Sequence, residues 1–295
     1  MALEVTTDGV NEAALYDFYD RELRHDLLKQ ERLRKALQGN FFIATGISIG
    51  LLFWLLGDIS RVATFIFISI VVWMAYQWNA GYFRDTFKRN VVRKLVTFFS
   101  EDLHYSPRGC VSLTLLKDSR LFYEIENFGG EDLIRGTIDG LRFAFSEVRF
   151  HNKTTLFGGM FFAIELPTEV RRATFIYPRT AVKPHFSHYV ERAKLEDPRF
   201  ERTFDVYAED QVAARVLLTT HFMEQVMTLR KLCDQTPYVS FSHRHLYIAV
   251  PSYKNLLEPS LFQSVLDPTT IRRFLSEFNV VLSIAQEVRL QHFNR

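Results

Sequence analysis

The sequence predicts an α+β protein: a two-helix transmembrane hairpin with flanking cytoplasmic helices, then a cytoplasmic, mainly antiparallel sheet domain packed with helices. Three observations lead to that class. Two long apolar runs without charge, FFIATGISIGLLFWLL from Phe41 and VATFIFISIVVWMAYQW ending at Trp78, enclose the polar break Gly57-Asp58-Ile59-Ser60-Arg61. The charged segments on either side of the runs carry apolar residues at helical spacing. Beyond Tyr105 the apolar residues switch to a period of two and later return to helical spacing, the order of an α+β domain.

Leu, Ile, Phe and Val each favour insertion by about 0.3–0.6 kcal/mol at the centre of a membrane helix. Each run therefore gains several kcal/mol in lipid. Both are slightly shorter than the roughly 20 residues that cross a bilayer. Neighbouring turns extend the spans to about 38–56 and 62–80. The break is too short for the second helix to leave the bilayer elsewhere, so two antiparallel spans result. Arg21, Arg24, Lys29, Arg32, Arg34 and Lys35 precede the first span, and Arg84, Lys88, Arg89, Arg93 and Lys94 follow the second; the break offers only Arg61. The positive-inside bias places both termini in the cytoplasm. Trp73, Tyr76, Trp78 and Tyr82 collect at the cytoplasmic headgroups and Trp54 near the far surface. With Arg84, Trp54, Trp73, Trp78 and Tyr82 are the candidate membrane-anchoring residues. A core hairpin of a soluble protein would show one polar face, which these runs lack.

The chain divides into residues 1–103 (helix, hairpin, helix) and residues 104–295 (the α+β domain). Met1 to Asn11 is polar. Glu12 to Gln38 is helical, with Leu23, Leu27 and Leu37 near one face and Glu31 four residues before Lys35. Phe83, Phe87, Val91, Leu95 and Phe98 stripe the helix after the second span. Its cations form either a packing rim or a surface for anionic lipid. Tyr105-Ser106-Pro107-Arg108-Gly109 breaks that helix, and Val111 to Phe122 reads as either a short helix or a strand.

Asp132–Asp139 and Leu141–Asn152 read as strands, the latter with a bulge at Ser146-Glu147. Phe161–Leu166 and Ala173–Tyr177 are two more, separated by Pro167-Thr168-Glu169. The sheet is expected to have one solvated face. Phe204–Tyr207 is a strand, and Asp210 caps a helix through Leu232 with Val212, Val216, Met223 and Val226 on one side. Tyr238 to Val250 reads as a hairpin turning near His243-Arg244. Asp267-Pro268 starts a last helix with Ile271, Leu275, Phe278, Leu282 and Ala285 facing the core.

Ala193-Lys194-Leu195-Glu196-Asp197-Pro198-Arg199-Phe200, the run Phe204 to Arg215, Leu217-Leu218-Thr219 and Phe222-Met223-Glu224 are similar to the signature of a bacterial membrane family known as domain of unknown function 3137. Gly130-Glu131-Asp132, Gly136, Phe145-Ser146-Glu147-Val148, Phe157-Gly158-Gly159, Phe241-Ser242 and Glu258-Pro259 also resemble family positions. The resemblance implies a bacterial inner-membrane protein with a cytoplasmic domain. It carries over no catalytic residue.

The search for chemistry is mostly negative. The formal net charge of +2 gives no nucleic-acid signature. Cys110 and Cys233 lie on the reducing side, so neither a disulfide nor a metal cluster is indicated. His185 and His188, and likewise His243 and His245, lack supporting ligands at metal-site spacing. Adjacent strand residues face opposite sides, which separates Glu131 from Asp132 as an acid/base pair. The pairs Gly129-Gly130 and Gly158-Gly159 lack the helix and lysine of a phosphate loop and read as turns or bulges. Arg215 is expected to pair with Glu209 or Asp210. No cofactor, metal or catalytic residue is assigned; Arg215, Glu131, Asp132, His243 and His245 are candidate ligand or partner contacts. The expected function is a membrane-anchored module that recruits a protein partner, with homo-oligomers allowed by Gly46 and Gly50 in the first span. The alternatives are a lipid- or small-ligand-binding domain, pleckstrin-homology-like by analogy, and a hydrolase, for which no G-x-S-x-G nucleophile elbow is assigned.

Overall fold

The computed structural model describes residues 18–55, 59–138, 140–151, 156–182, 189–233, 235–252 and 257–293. Met1–Asn11, Gly57-Asp58, His185 and His188 fall outside them. The chain divides into two compact units, Ala13–Leu95 with Leu257–Thr269, and Val96–Leu256 with Thr270–Arg295.

The first unit is helical. A π-helical turn, Tyr19–Leu23, leads into α1, Arg24–Leu55. Helix α2, Ile59–Phe87, continues through a second π-helical turn, Lys88–Val92, into α3, Arg93–Phe99. At the polar end of the pair the expected stripe is buried: Leu23, Leu27, Phe83, Phe87, Val91 and Leu95. Along the two apolar runs the opposite holds. Phe42, Ile43, Ile47, Ile66, Phe67, Ile70, Trp73 and Met74 are all exposed. Among the described residues one helical segment, Ala63–Phe99, is long and apolar enough to cross a membrane, and 6% of its most apolar stretch is buried.

The second unit is built on a seven-stranded sheet. Its strands are β1 (His104–Ser106), β2 (Glu126–Ile138), β3 (Leu141–His151), β4 (Leu156–Pro178), β5 (Glu191–Ala193), β6 (Phe204–Ala208) and β7 (Tyr238–Pro251). Every pairing is antiparallel; the order is β1-β2-β3-β4-β6-β5, with β7 on β4. The helices are α4 (Leu113–Asp118), α5 (Pro198–Thr203), α6 (Gln211–Leu217), α7 (Thr220–Leu232) and α8 (Pro268–Phe293).

Strand β4 is the spine, and it corrects two expectations. The segments on either side of Pro167-Thr168-Glu169 are one strand, because β7 runs beside both from Gly159↔Pro251 to Ile176↔Val239. The register slips between Glu165 and Val170 and again before Thr174, which accommodates the proline in bulges. Arg244 donates to the carbonyls of Leu166 (3.2 Å) and Pro167 (3.0 Å), groups that the bulge withdraws from the ladder. The expected hairpin at His243-Arg244 is therefore a kink within β7, where His243 takes a left-handed φ of 55°.

A third expectation, a sheet with one solvated face, also fails. Met160 to Ile164 are buried in succession, so both faces of β4 are covered. On one face Val111, Leu116, Leu121 and Phe122 join Phe150, Phe157, Phe161, Phe175 and Tyr177. On the other, the Phe278 ring of α8 lies 5.3 Å from Phe143, 6.3 Å from Phe162 and 4.5 Å from Phe99. The α8 stripe read from sequence, Ile271, Leu275, Phe278, Leu282 and Ala285, is buried throughout. The single helix expected after Asp210 is two helices. Asp210 caps α6 by accepting from Val212 and Ala213 N–H, and Thr219 Oγ1 caps α7 by accepting from Phe222 N–H (3.1 Å). This break leaves Val212 and Val216 exposed while Met223 and Val226 are buried.

Gly158 and Gly159 lie inside β4 rather than at a turn. A Cβ on Gly159 would overlap the Val250 carbonyl and the backbone of Pro251 and Ser252, whereas one on Gly158 would meet Ser252 O at 3.7 Å, an ordinary contact. Gly159→Ala is expected to destabilise the sheet unit by about 2 kcal/mol or more. Gly158→Ala is expected to be nearly neutral. Denaturant midpoints of the two variants check the contrast.

Candidate functional site

Among the described residues of the sheet unit, a close group of three carboxylates forms where β2 bulges. From Ile138↔Leu141 back to Ile134↔Phe145 the β2–β3 register is regular; by Glu131↔Glu147 it has slipped by one. The extra residue lies on β2, so Asp132 and Leu133 face Ser146, whereas the sequence placed the bulge on β3. The diverted N–H groups of Asp132 and Leu133 donate to the carbonyls of Pro107 and Gly109 (3.1 Å each), and Val111 N–H donates to Ser146 Oγ (3.0 Å). Gly130 permits the close approach: a Cβ there would overlap the Glu147 carbonyl and the Cys110 sulfur.

The bulge overturns the separation of Glu131 from Asp132. Asp132 takes a left-handed φ of 60°, which swings its carboxylate to the side of its neighbour. Glu131, Asp132 and Glu147 each offer an oxygen within 4.8 Å of the others. Asp132 is 0% exposed and accepts a short hydrogen bond from the Tyr105 hydroxyl. Burial, then the Asp132 charge, pushes the Tyr105 phenol far above its ordinary range, so it remains a donor. The Arg149 guanidinium lies 3.9 Å from Glu131. A cleft of about 420 Å³ opens over the group, lined by Arg108, Asn127, Glu131, Glu147 and Arg149 among others. Close carboxylates repel, and a proton, a cation or basic groups relieve the repulsion. These three oxygens are the described residues that could hold a hard cation; Tyr105 and Arg149 are the counter-groups the protein itself supplies. Half-buried Cys110 lies beneath the cleft; burial pushes its thiol up, which makes it a poor nucleophile.

Glu147 was missing from the sequence-derived candidates. Asp139-Gly140 is a spelling that favours a two-residue hairpin, and counting back from it with one bulge residue places Glu147 opposite Glu131, but the bulge has no spelling that demands the extra residue. The other candidates do not join this group. His243 and His245 lie along β7; His245 stacks on Tyr247 (5.3 Å), and burial holds its pKa low. Arg215 is exposed on α6. The expected Arg215 pairing is replaced: Arg120 bridges to Glu209 (2.8 Å), while Asp210 caps its own helix. The spelling Gly46-Ile47-Ser48-Ile49-Gly50 matches a nucleophile elbow, a match the sequence reading overlooked. It lies inside α1, where Ser48 Oγ donates to Ala44 O (2.9 Å), without the strand-to-helix turn an elbow needs.

In the helical unit Trp54 and Trp78 are 79% and 82% exposed, and Trp73 and Tyr82 are also exposed. Arg84 pairs with Glu258 (3.2 Å), which also receives Lys88 (3.5 Å), a cation only 3% exposed. Glu31 pairs chiefly with Arg34 (2.7 Å) rather than Lys35 (3.9 Å). Arg34 Nη1 donates to Leu261 O (2.8 Å), and Glu31 accepts from Val265 N–H (3.3 Å). The bond from Arg34 holds the Glu31 carboxyl below its usual range.

Two outcomes follow. Tyr105→Phe removes the hydroxyl donor of a buried carboxylate and is expected to cost about 1–3 kcal/mol in a denaturant titration. Burial opposes ionisation of Glu209, but Ala173 N–H and Arg120 outweigh it and lower its pKa. Its stabilisation is therefore full above the ordinary glutamate range and lost as pH falls through the lowered value. Glu209→Gln should flatten that part of the acid limb in denaturant midpoints recorded from pH 7 downward.

No curated protein matches the chain. Among solved structures it aligns with the crystal structure of the mycobacterial trehalose monomycolate transport factor A, TtfA, at 10% identity and a TM-score of 0.35, over 65% of this chain and 92% of that one. Residues 155–290 match the family described as Protein of unknown function (DUF3137). The match takes in β4 to β7, α5 to α7 and most of α8.

Proposed function

We propose that the protein is a membrane-anchored interaction module of the bacterial inner membrane. Helices α1 and α2 cross the bilayer as a hairpin, both termini are cytoplasmic, and the DUF3137-containing unit recruits a protein partner. The observation that carries the anchor is the row of exposed Phe, Ile and Trp side chains along both apolar runs. A water-soluble fold would bury such a surface, and a contiguous apolar patch of this kind marks a lipid or protein contact. Cations before Phe41 and after Trp78 support the orientation.

The cleft over Glu131 and Glu147 supports a protein partner over a lipid tail. It is shallow, open and lined by charges of both signs, the character of a polar rim that pairs with a complementary surface. The space between α8 and the sheet, by contrast, is filled. The cavity bounded by Ile138, Phe143, Ile164 and Leu282 measures about 10 Å³, room for one water at most.

A photo-crosslinking residue in place of exposed Arg149 is expected to capture a protein in intact cells. Glu131→Lys should abolish the adduct by reversing the charge on the cleft wall. Adducts with lipid only would replace this reading by the lipid-binding one. A cytoplasm-dependent fluorescent reporter fused after Arg295 should be bright; a dark reporter on a full-length fusion would overturn the orientation.

A further inference from the structure

We infer that the segment from Leu257 to Asp267 is a third membrane-contacting element, a strap that seats the Phe262 ring at the boundary between acyl chains and headgroups. The inference rests on the proposed membrane insertion of α1 and α2 and adds a contact more than 170 residues away in sequence.

The strap is held from both sides. Glu258 is gripped by Arg84 and buried Lys88. The Leu261 carbonyl accepts from Arg34, Val265 N–H donates to Glu31, and the Leu266 carbonyl accepts from Tyr19 Oη (3.3 Å). Leu257, Leu261 and Val265 are buried. Between these fixed points Phe262 turns outward, 53% exposed. The strap's own packing does not require an aromatic ring there, because the hydrogen bonds and three aliphatic side chains already hold it. In water the exposed ring would forfeit part of the stabilisation that burial of a Phe side chain provides.

Its position names the partner. The Phe262 ring lies 6.3 Å from Phe41 and 6.2 Å from Tyr76, and those two rings are 4.8 Å apart. Phe41 is the first residue of the first apolar run, and Tyr76 lies in the last turn of the second. Exposed Phe42, Ile43 and Trp73 continue the surface away from the strap. Arg34 lies seven residues before Phe41, about 10 Å along the helix, on the side where the strap's ionic contacts gather. An aromatic ring between an apolar belt and a cationic belt occupies the level of the headgroup boundary. The occupant is lipid, because the surface is continuous with side chains that face the acyl chains.

The test places p-benzoylphenylalanine, a photoreactive relative of Phe, at position 262 of the full chain in nanodiscs of phosphatidylethanolamine and phosphatidylglycerol. Position 47, in the middle of the first run, and position 212, exposed on α6, carry the same residue in parallel samples. Mass spectrometry after illumination counts lipid adducts. The expected yield at 262 approaches that at 47 and exceeds that at 212 by roughly tenfold, as a ring inside the interface should. A yield at 262 no greater than at 212, with strong adducts at 47, overturns the strap and leaves the membrane anchor standing. Absence of lipid adducts at 47 overturns both.

Discussion

The apolar surface that α1 and α2 leave exposed is the constraint on which this structure turns. Two helices of 32 and 29 residues carry large aliphatic and aromatic groups on their outer surfaces. Among the described residues the helical unit has a buried apolar core only at its charged end, around Leu23, Leu27, Phe83 and Val91. Beyond that point most of the large apolar side chains described on α1 and α2 are exposed. Such a surface calls for an apolar neighbour, which in the proposed reading is lipid.

The sheet unit obeys the opposite rule. Strand β4 is covered on both faces, and its neighbours β3, β6 and β7 are placed by its length and bulges. Irregular backbone in the unit has specific partners. Arg244 caps the carbonyls at the β4 bulge, and the loop after Ser106 receives the N–H groups freed by the β2 bulge. The second of these bulges gathers Glu131, Asp132 and Glu147 under one cleft. Backbone irregularity, not a sequence motif, makes the candidate site.

This contrast explains what was legible in the sequence. The apolar runs, the β2–β3 pair, β6 and the core stripe of α8 follow periodicities that a linear reading detects. The failures share one cause. Pro167 and His243-Arg244 have the chemistry of strand ends, yet long-range pairing between β4 and β7 carries both strands past them as kinks. Thr219 splits a helix because its hydroxyl competes as a cap, a choice that helical spacing alone does not reveal. Asp132 joins Glu131 because one residue adopts a left-handed conformation, which breaks the alternation on which their separation was argued. The grouping of Leu257–Thr269 with the helices depends on contacts across most of the chain, to Glu31, Arg34, Arg84 and Lys88. Local sequence carries no trace of them.

The most direct measurement is the behaviour of the intact chain in isolated membranes washed with alkaline carbonate. That treatment strips proteins held by charge or by other proteins and leaves those whose helices lie within the acyl chains. The account predicts that the chain remains in the pellet and leaves it only with detergent. Quantitative release into the carbonate supernatant would contradict it, because the exposed rings of α1 and α2 would then have to be covered by protein.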